Sequence, residues 1–161
     1  MINLIGFNIC WFGLIYLGNS FIPIATIFLL THLFILSDIR REQVFLVAVA
    51  SIGIFIDATF SYLGLFIFTE NIIPAWLVFL WICFATTICH SLAFLEKNYW
   101  WQVIAGILAP LNYIAGEGVN VVSFGQSNVV TYLFLAPTWV ILFIVFFRLK
   151  KNITTKVKVY V

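Results

Sequence analysis

Residues 44–68 read VFLVAVASIGIFIDATFSYLGLFIF, an apolar run with one ionisable side chain, Asp57, near its middle. A helix that crosses a bilayer needs ~20 mostly apolar residues, so this run is long enough by itself. It is preceded by Asp38-Ile39-Arg40-Arg41-Glu42 and followed by Thr69-Glu70-Asn71. Working outward, similar stretches occupy residues 2–17, 21–36, 74–95, 100–119 and 129–147. Gly18-Asn19-Ser20, Glu96-Lys97-Asn98 and a polar turn over residues 123–128 separate them. The expected fold is all-α: a polytopic membrane protein, a bundle of six transmembrane helices.

Composition leads the same way. The chain has 161 residues, of which 64% are hydrophobic and 9% charged. Globular domains average roughly 25% charged residues. So short a chain has too much surface to hide this many apolar side chains from water. The expected organisation is one transmembrane domain over residues 1–148 and a short basic tail over residues 149–161. A basic tail without a folded basic surface excludes nucleic-acid binding and suits anionic headgroups. The expected partners are the lipid bilayer and a second membrane protein or another copy of the chain.

Orientation follows from charge. Arg40, Arg41, Lys97, Arg148, Lys150, Lys151, Lys156 and Lys158 all fall in the gaps and tail that six spans place on one side. Cytoplasmic loops retain Lys and Arg, so both termini are expected in the cytoplasm. The start, Met1-Ile2-Asn3-Leu4, lacks a basic leader region, so the first span is expected to be retained. Trp76, Trp100 and Trp101 lie at span ends, where indole rings anchor to the interface. Cys10, Cys83 and Cys89 lie inside apolar stretches and are expected to be small core residues.

The polar residues inside the spans are the candidates for function. An ionisable group at mid-bilayer costs ~2.5–3.5 kcal/mol on insertion scales, so Asp57 needs a reason to be there. Ala50, Gly53, Asp57, Ser61 and Gly64 recur every three or four residues and share one helical face. Thr86, Thr87 and His90 form a second stripe, and Asn112 lies among small residues in the fifth span. At 1.5 Å per residue, Asp57 and Asn112 both fall ~20 Å from the cytoplasmic end, and His32 and His90 ~7–8 Å. The expectation is an Asp57–Asn112 layer above a His32–His90 layer. The competing reading of Asp57 is a buried acid that only locks helices together. His32 and His90 read more simply as structural histidines. Metal ligation by two His and one Asp fits the composition but not the depths, so no metal and no cofactor is expected. Pro110 is expected to bend the fifth span beside Asn112.

These residues carry a family resemblance. The run from Pro74-Ala75-Trp76 through Leu80-Trp81-Ile82-Cys83-Phe84-Ala85-Thr86-Thr87-Ile88-Cys89-His90-Ser91-Leu92 resembles the signature of the DUF2878 family. Asn8 through Trp11-Phe12, Gly53-x-x-x-Asp57 with Gly64, and Pro110-Leu111-Asn112-Tyr113-Ile114-Ala115-Gly116 leading to Ser123-Phe124 extend it over nearly the whole chain. Cys89, Asn112 and Glu117-Gly118-Val119-Asn120 depart from that pattern. The resemblance implies a multi-span protein of the bacterial inner membrane, associated with fatty-acid modification, and it assigns no catalytic residue.

Three functions follow as expectations. The leading one is a non-enzymatic membrane component that binds or moves a lipid-like or small amphipathic molecule and assists lipid modification. The second is a membrane-embedded enzyme acting on acyl chains, with Asp57 and His90 as acid and base; no nucleophile motif or cofactor loop accompanies it. The third is an accessory subunit of a transporter complex.

Overall fold

Local chemistry sets the ends of each element. The computed structural model describes residues 2–36, 39–69 and 72–155. Helix α1 (Ile2–Leu17) and helix α2 (Ile22–Leu36) are joined by a 3-10 turn, Gly18–Phe21. Gly18 has φ +55°, a left-handed conformation that lets the chain reverse. The two helices return antiparallel, because Asn3 on α1 lies 3.4 Å from His32 on α2. A continuous helix would hold those residues ~44 Å apart. Gly6 faces the Phe28 ring and Gly13 the Phe21 ring, so the absence of Cβ atoms lets the arms close.

Helix α3 (Ile39–Tyr62) stops six residues short of the expected end of its span. The reason is Gly64, at φ +75°. Leu65 N–H donates to Phe60 O at 2.9 Å and Gly64 N–H to Ser61 O at 3.0 Å, the paired bonds of a Schellman cap. The freed chain forms strand β1 (Phe66–Ile67), which pairs antiparallel with β2 (Ser123–Phe124).

Helix α4 (Ala75–Cys89) also ends early, at His90, and a 3-10 segment (Ala93–Lys97) follows. The expected fifth span is two helices, α5 (Tyr99–Leu108) and α6 (Leu111–Gly118). Pro110 has no N–H to offer the carbonyl four residues back, so the helix breaks there instead of only bending. Helix α7 (Asn128–Thr155) runs on through Pro137.

The architecture is all-α apart from the two-residue ladder. Among the described residues, three stretches are long and apolar enough to cross a membrane: 2–35, which contains the α1–α2 hairpin, 42–62 and 128–153. They make the chain a candidate multi-pass membrane protein. Helix α4 and the α5–α6 pair are shorter. Many large apolar side chains point outward, among them Phe34, Phe55, Val129 and Leu133, as lipid contact requires.

The core lies where α3 packs on α4 and α5 on α7, around Phe45, Trp81, Trp139 and Phe143. A smaller core with Cys10, Leu14, Ala25 and Cys83 joins α1, α2 and α4. Gly106 touches the backbone of Val140, which brings α5 directly against α7. Asn19 Oδ1 accepts from Trp76 N–H at 3.1 Å, so the α1–α2 turn meets the start of α4. Trp76 in turn meets Phe68, which extends that end of the bundle to the β1 turn. At the opposite end, Lys150 Nζ donates to Glu96 Oε2 at 2.8 Å. Asp38, Glu70, Lys156 and Lys158 lie outside the described residues.

Candidate functional site

Among the described residues, two polar clusters occupy the apolar bundle. The first centres on Asp57, 1% exposed on α3. Its Oδ2 accepts from the Trp81 indole N–H at 2.6 Å, and the Tyr113 hydroxyl donates to Oδ1 at 3.1 Å and Oδ2 at 3.2 Å. Gly53, one turn back on α3, leaves the space in which the Trp81 ring lies. Trp81 stacks on Trp139, with centroids 5.3 Å apart and planes 11° apart. Tyr113 stacks on Phe66, so the β1 turn fixes its ring. One carboxyl group therefore ties α3 to α4 and α6.

Asn112 does not bond Asp57, contrary to the expected layer. Its side-chain amide turns back to donate to Ala109 O at 3.1 Å, and its side of α6 is exposed. The depth estimate was close, but the next residue points inward: one residue rotates a helix by ~100°. Trp76 also departs from a plain interface anchor, because it is half-buried beside the cleft described next; Trp100 and Trp101 are exposed.

Trp81 and Tyr113 form part of the wall of a chamber of about 320 Å³. Phe7 and Trp11 of α1, Phe84 of α4, Ala105 and Ala109 before the Pro110 break, and Trp139 and Phe143 of α7 complete much of the lining. An outer groove of about 380 Å³ lies between α1 and α6. Chamber and groove share Phe7, Trp11, Ile15 and Asn112, so they form one cleft with Asn112 at the junction. Exposed Leu108 lies at its rim.

The second cluster joins α1, α2, α3 and α4. Glu42 Oε1 accepts from Nε2 of His32 and from Nε2 of His90, each at 2.9 Å. The two imidazole rings lie 4.7 Å apart, edge to face. Asn3 Nδ2 donates to Thr86 Oγ1 at 3.0 Å and lies 3.4 Å from His32 Nδ1. Ser91 Oγ donates to Asn3 Oδ1 at 2.7 Å. His32 is 1% exposed and Glu42 9%. The bend at His90, with φ −118° and ψ −88°, ends α4 within reach of Glu42.

His32 and His90 therefore meet, and Thr86 joins them through Asn3. Thr87 is buried but donates only to Phe84 O of its own helix, at 2.6 Å. Ser61 is half-buried one turn beyond Asp57 and joins neither cluster. Asp57 and His90 do not form an acid–base pair. His90 is bonded to Glu42, which lies fifteen positions before Asp57 on α3, ~22 Å along the helix axis. Sequence reasoning missed Glu42, Asn3, Trp81 and Tyr113. Glu42 was hidden in a charged loop string, and the others carried no charge to single them out.

Residues 1–145 match the family described as a protein of unknown function, DUF2878. The chain belongs to the DUF2878 family. The matched stretch of this DUF2878 protein includes both clusters and the whole cleft, whose residues lie between Asn3 and Phe143. No curated protein and no solved structure matches the chain.

Proposed function

We propose that this DUF2878 protein binds a lipid-like or small amphipathic molecule in the cleft between α1 and α5–α6. One observation carries the reading: an aromatic chamber of about 320 Å³ with Tyr113 and Asn112 as polar groups in its wall. Ligand sites typically measure ~300–1,000 Å³, are mostly apolar, and use a few polar groups to fix orientation. Here the apolar wall suits an acyl or isoprenoid segment, and the Asn112 junction suits its polar end. Asp57 acts as a positioning residue by holding Trp81 and Tyr113 in the wall.

The bilayer arrangement belongs to the same proposal. The chain crosses a bacterial inner membrane six times, α5–α6 making one broken crossing, with both termini in the cytoplasm. The Lys150–Glu96 bridge supports this by joining the end of α7 to the segment that holds Lys97. The Lys and Arg bias then puts that end inside.

The test is lipid mass spectrometry on protein purified in mild detergent. Wild-type chain should retain a defined amphipathic molecule, and Ala109→Phe, which fills the chamber, should release it while the chain stays folded. A deletion strain should show an altered membrane lipid profile that wild type restores and Ala109→Phe does not. Equal retention and equal rescue by Ala109→Phe would overturn the reading.

A further inference from the structure

We infer that His32, Glu42 and His90 form a binding site for one divalent first-row transition ion of the zinc class. The inference rests on the second cluster alone and is independent of the cleft.

Three donors, from α2, from α3 and from the C-terminal end of α4, come together in one cluster. Both Nε2 atoms lie 2.9 Å from the same Glu42 oxygen, and the ligand atoms all fall within 4.8 Å of one another. With metal–nitrogen and metal–oxygen bonds of ~2.0–2.2 Å, donors around one ion stand ~3.0–3.4 Å apart. The nitrogen–oxygen separations thus need to open by only a few tenths of an ångström, which side-chain torsions supply. Two imidazoles and one carboxylate are an established donor set for zinc and related ions, and they leave at least one position for water. His32 is fully enclosed, whereas the His90 side chain is 27% exposed, so an ion can enter beside His90.

Asn3 supplies what a bare ion-pair network does not need. A metal-bound imidazole uses the lone pair of one nitrogen and must carry its proton on the other, held by an outer partner. In the present network Asn3 Nδ2 faces His32 Nδ1, which places the His32 proton on Nε2, toward Glu42. Turning the Asn3 amide over presents its oxygen to His32 Nδ1–H and to the Thr86 hydroxyl, which gives up its 2.8 Å bond to Cys83 O to donate there, and its nitrogen to Ser91 Oγ. Every hydrogen bond of Asn3 then has a donor and an acceptor, and His32 Nε2 is free to ligate. Ion binding therefore shifts the His32 tautomer without changing its proton count. The ion takes the place of both Nε2–H bonds to Glu42.

The test uses full-length protein in mild detergent, stripped with a chelator and titrated with Zn²⁺ and with Co²⁺. The expected result is one ion per chain, with Co²⁺ giving visible d–d absorption that Zn²⁺ displaces. Glu42→Gln and His90→Ala should abolish stoichiometric binding, and Asn3→Ala should weaken it ~10–100-fold. Asp57→Asn should bind as wild type does. X-ray absorption at the zinc edge of the wild-type complex needs no variant and should show two imidazoles with oxygen. Absence of saturable binding, an edge spectrum with sulfur or without imidazole, or undiminished binding by folded Glu42→Gln and His90→Ala would each overturn the site.

Discussion

Asp57 accepts from two donors on different helices, so its replacements should separate by what they leave unpaired. Asp57→Ala strands the Trp81 N–H and the Tyr113 O–H in an apolar interior, at about 1–3 kcal/mol. Asp57→Asn keeps an acceptor oxygen and should cost less than Asp57→Ala. Tyr113→Phe removes one donor and leaves Trp81 bonded. Measured transmembrane hydrogen bonds average ~0.6 kcal/mol, so that change should stay under ~1 kcal/mol. Thermal unfolding in detergent should rank the three variants with alanine lowest. An Asp57→Ala chain as stable as wild type would show that the carboxyl holds nothing in place.

The helix junctions make their own predictions. Gly106 packs so closely that a Cβ would lie 2.5 Å from the Val140 Cα. Backbone cannot swing aside as a side chain can, so Gly106→Ala should push α5 off α7 and cost about 1–3 kcal/mol, read as a lowered unfolding midpoint. Gly64 poses a different problem. Nothing crowds its missing Cβ, but its φ of +75° disfavours any side chain. Gly64→Ala should therefore cost about 1–2 kcal/mol through backbone strain alone, with the fold intact by circular dichroism. Pro110→Ala restores a backbone donor, so α5 and α6 should join into a straighter helix. Tyr113 then turns away from Asp57, and the retained ligand should fall in the same mass-spectrometric assay.

For the whole molecule, orientation is the measurable property. A membrane-impermeant thiol reagent applied outside intact cells should label a cysteine placed at exposed Gln126 and spare one placed at Lys97, in a chain otherwise free of cysteine. The reverse pattern would invert the proposed topology. The Lys150–Glu96 bridge contributes little to stability, because Glu96 is exposed and water screens the pair. Lys150→Ala should change stability by less than about 1 kcal/mol.

The apolar runs, the turn at Gly18, a disturbance at Pro110 and the one-sided Lys and Arg were legible in the sequence, whereas the end of α3 at Gly64 was not, because Gly64 reads there as part of a small-residue helical face. Each follows from local chemistry: lipid selects apolar helices, glycine admits left-handed backbone, and proline removes a donor. Depth was legible too, since rise per residue is constant; it brought His32 to His90 and came within one residue of finding the partner of Asp57. Only tertiary structure decided that Tyr113 and Trp81, rather than Asn112, meet that carboxyl, and that Glu42, in the first turn of α3, reaches two histidines. Rotation of a helix about its axis is set by how neighbours pack, and almost uniformly apolar helices leave that angle unmarked along the chain.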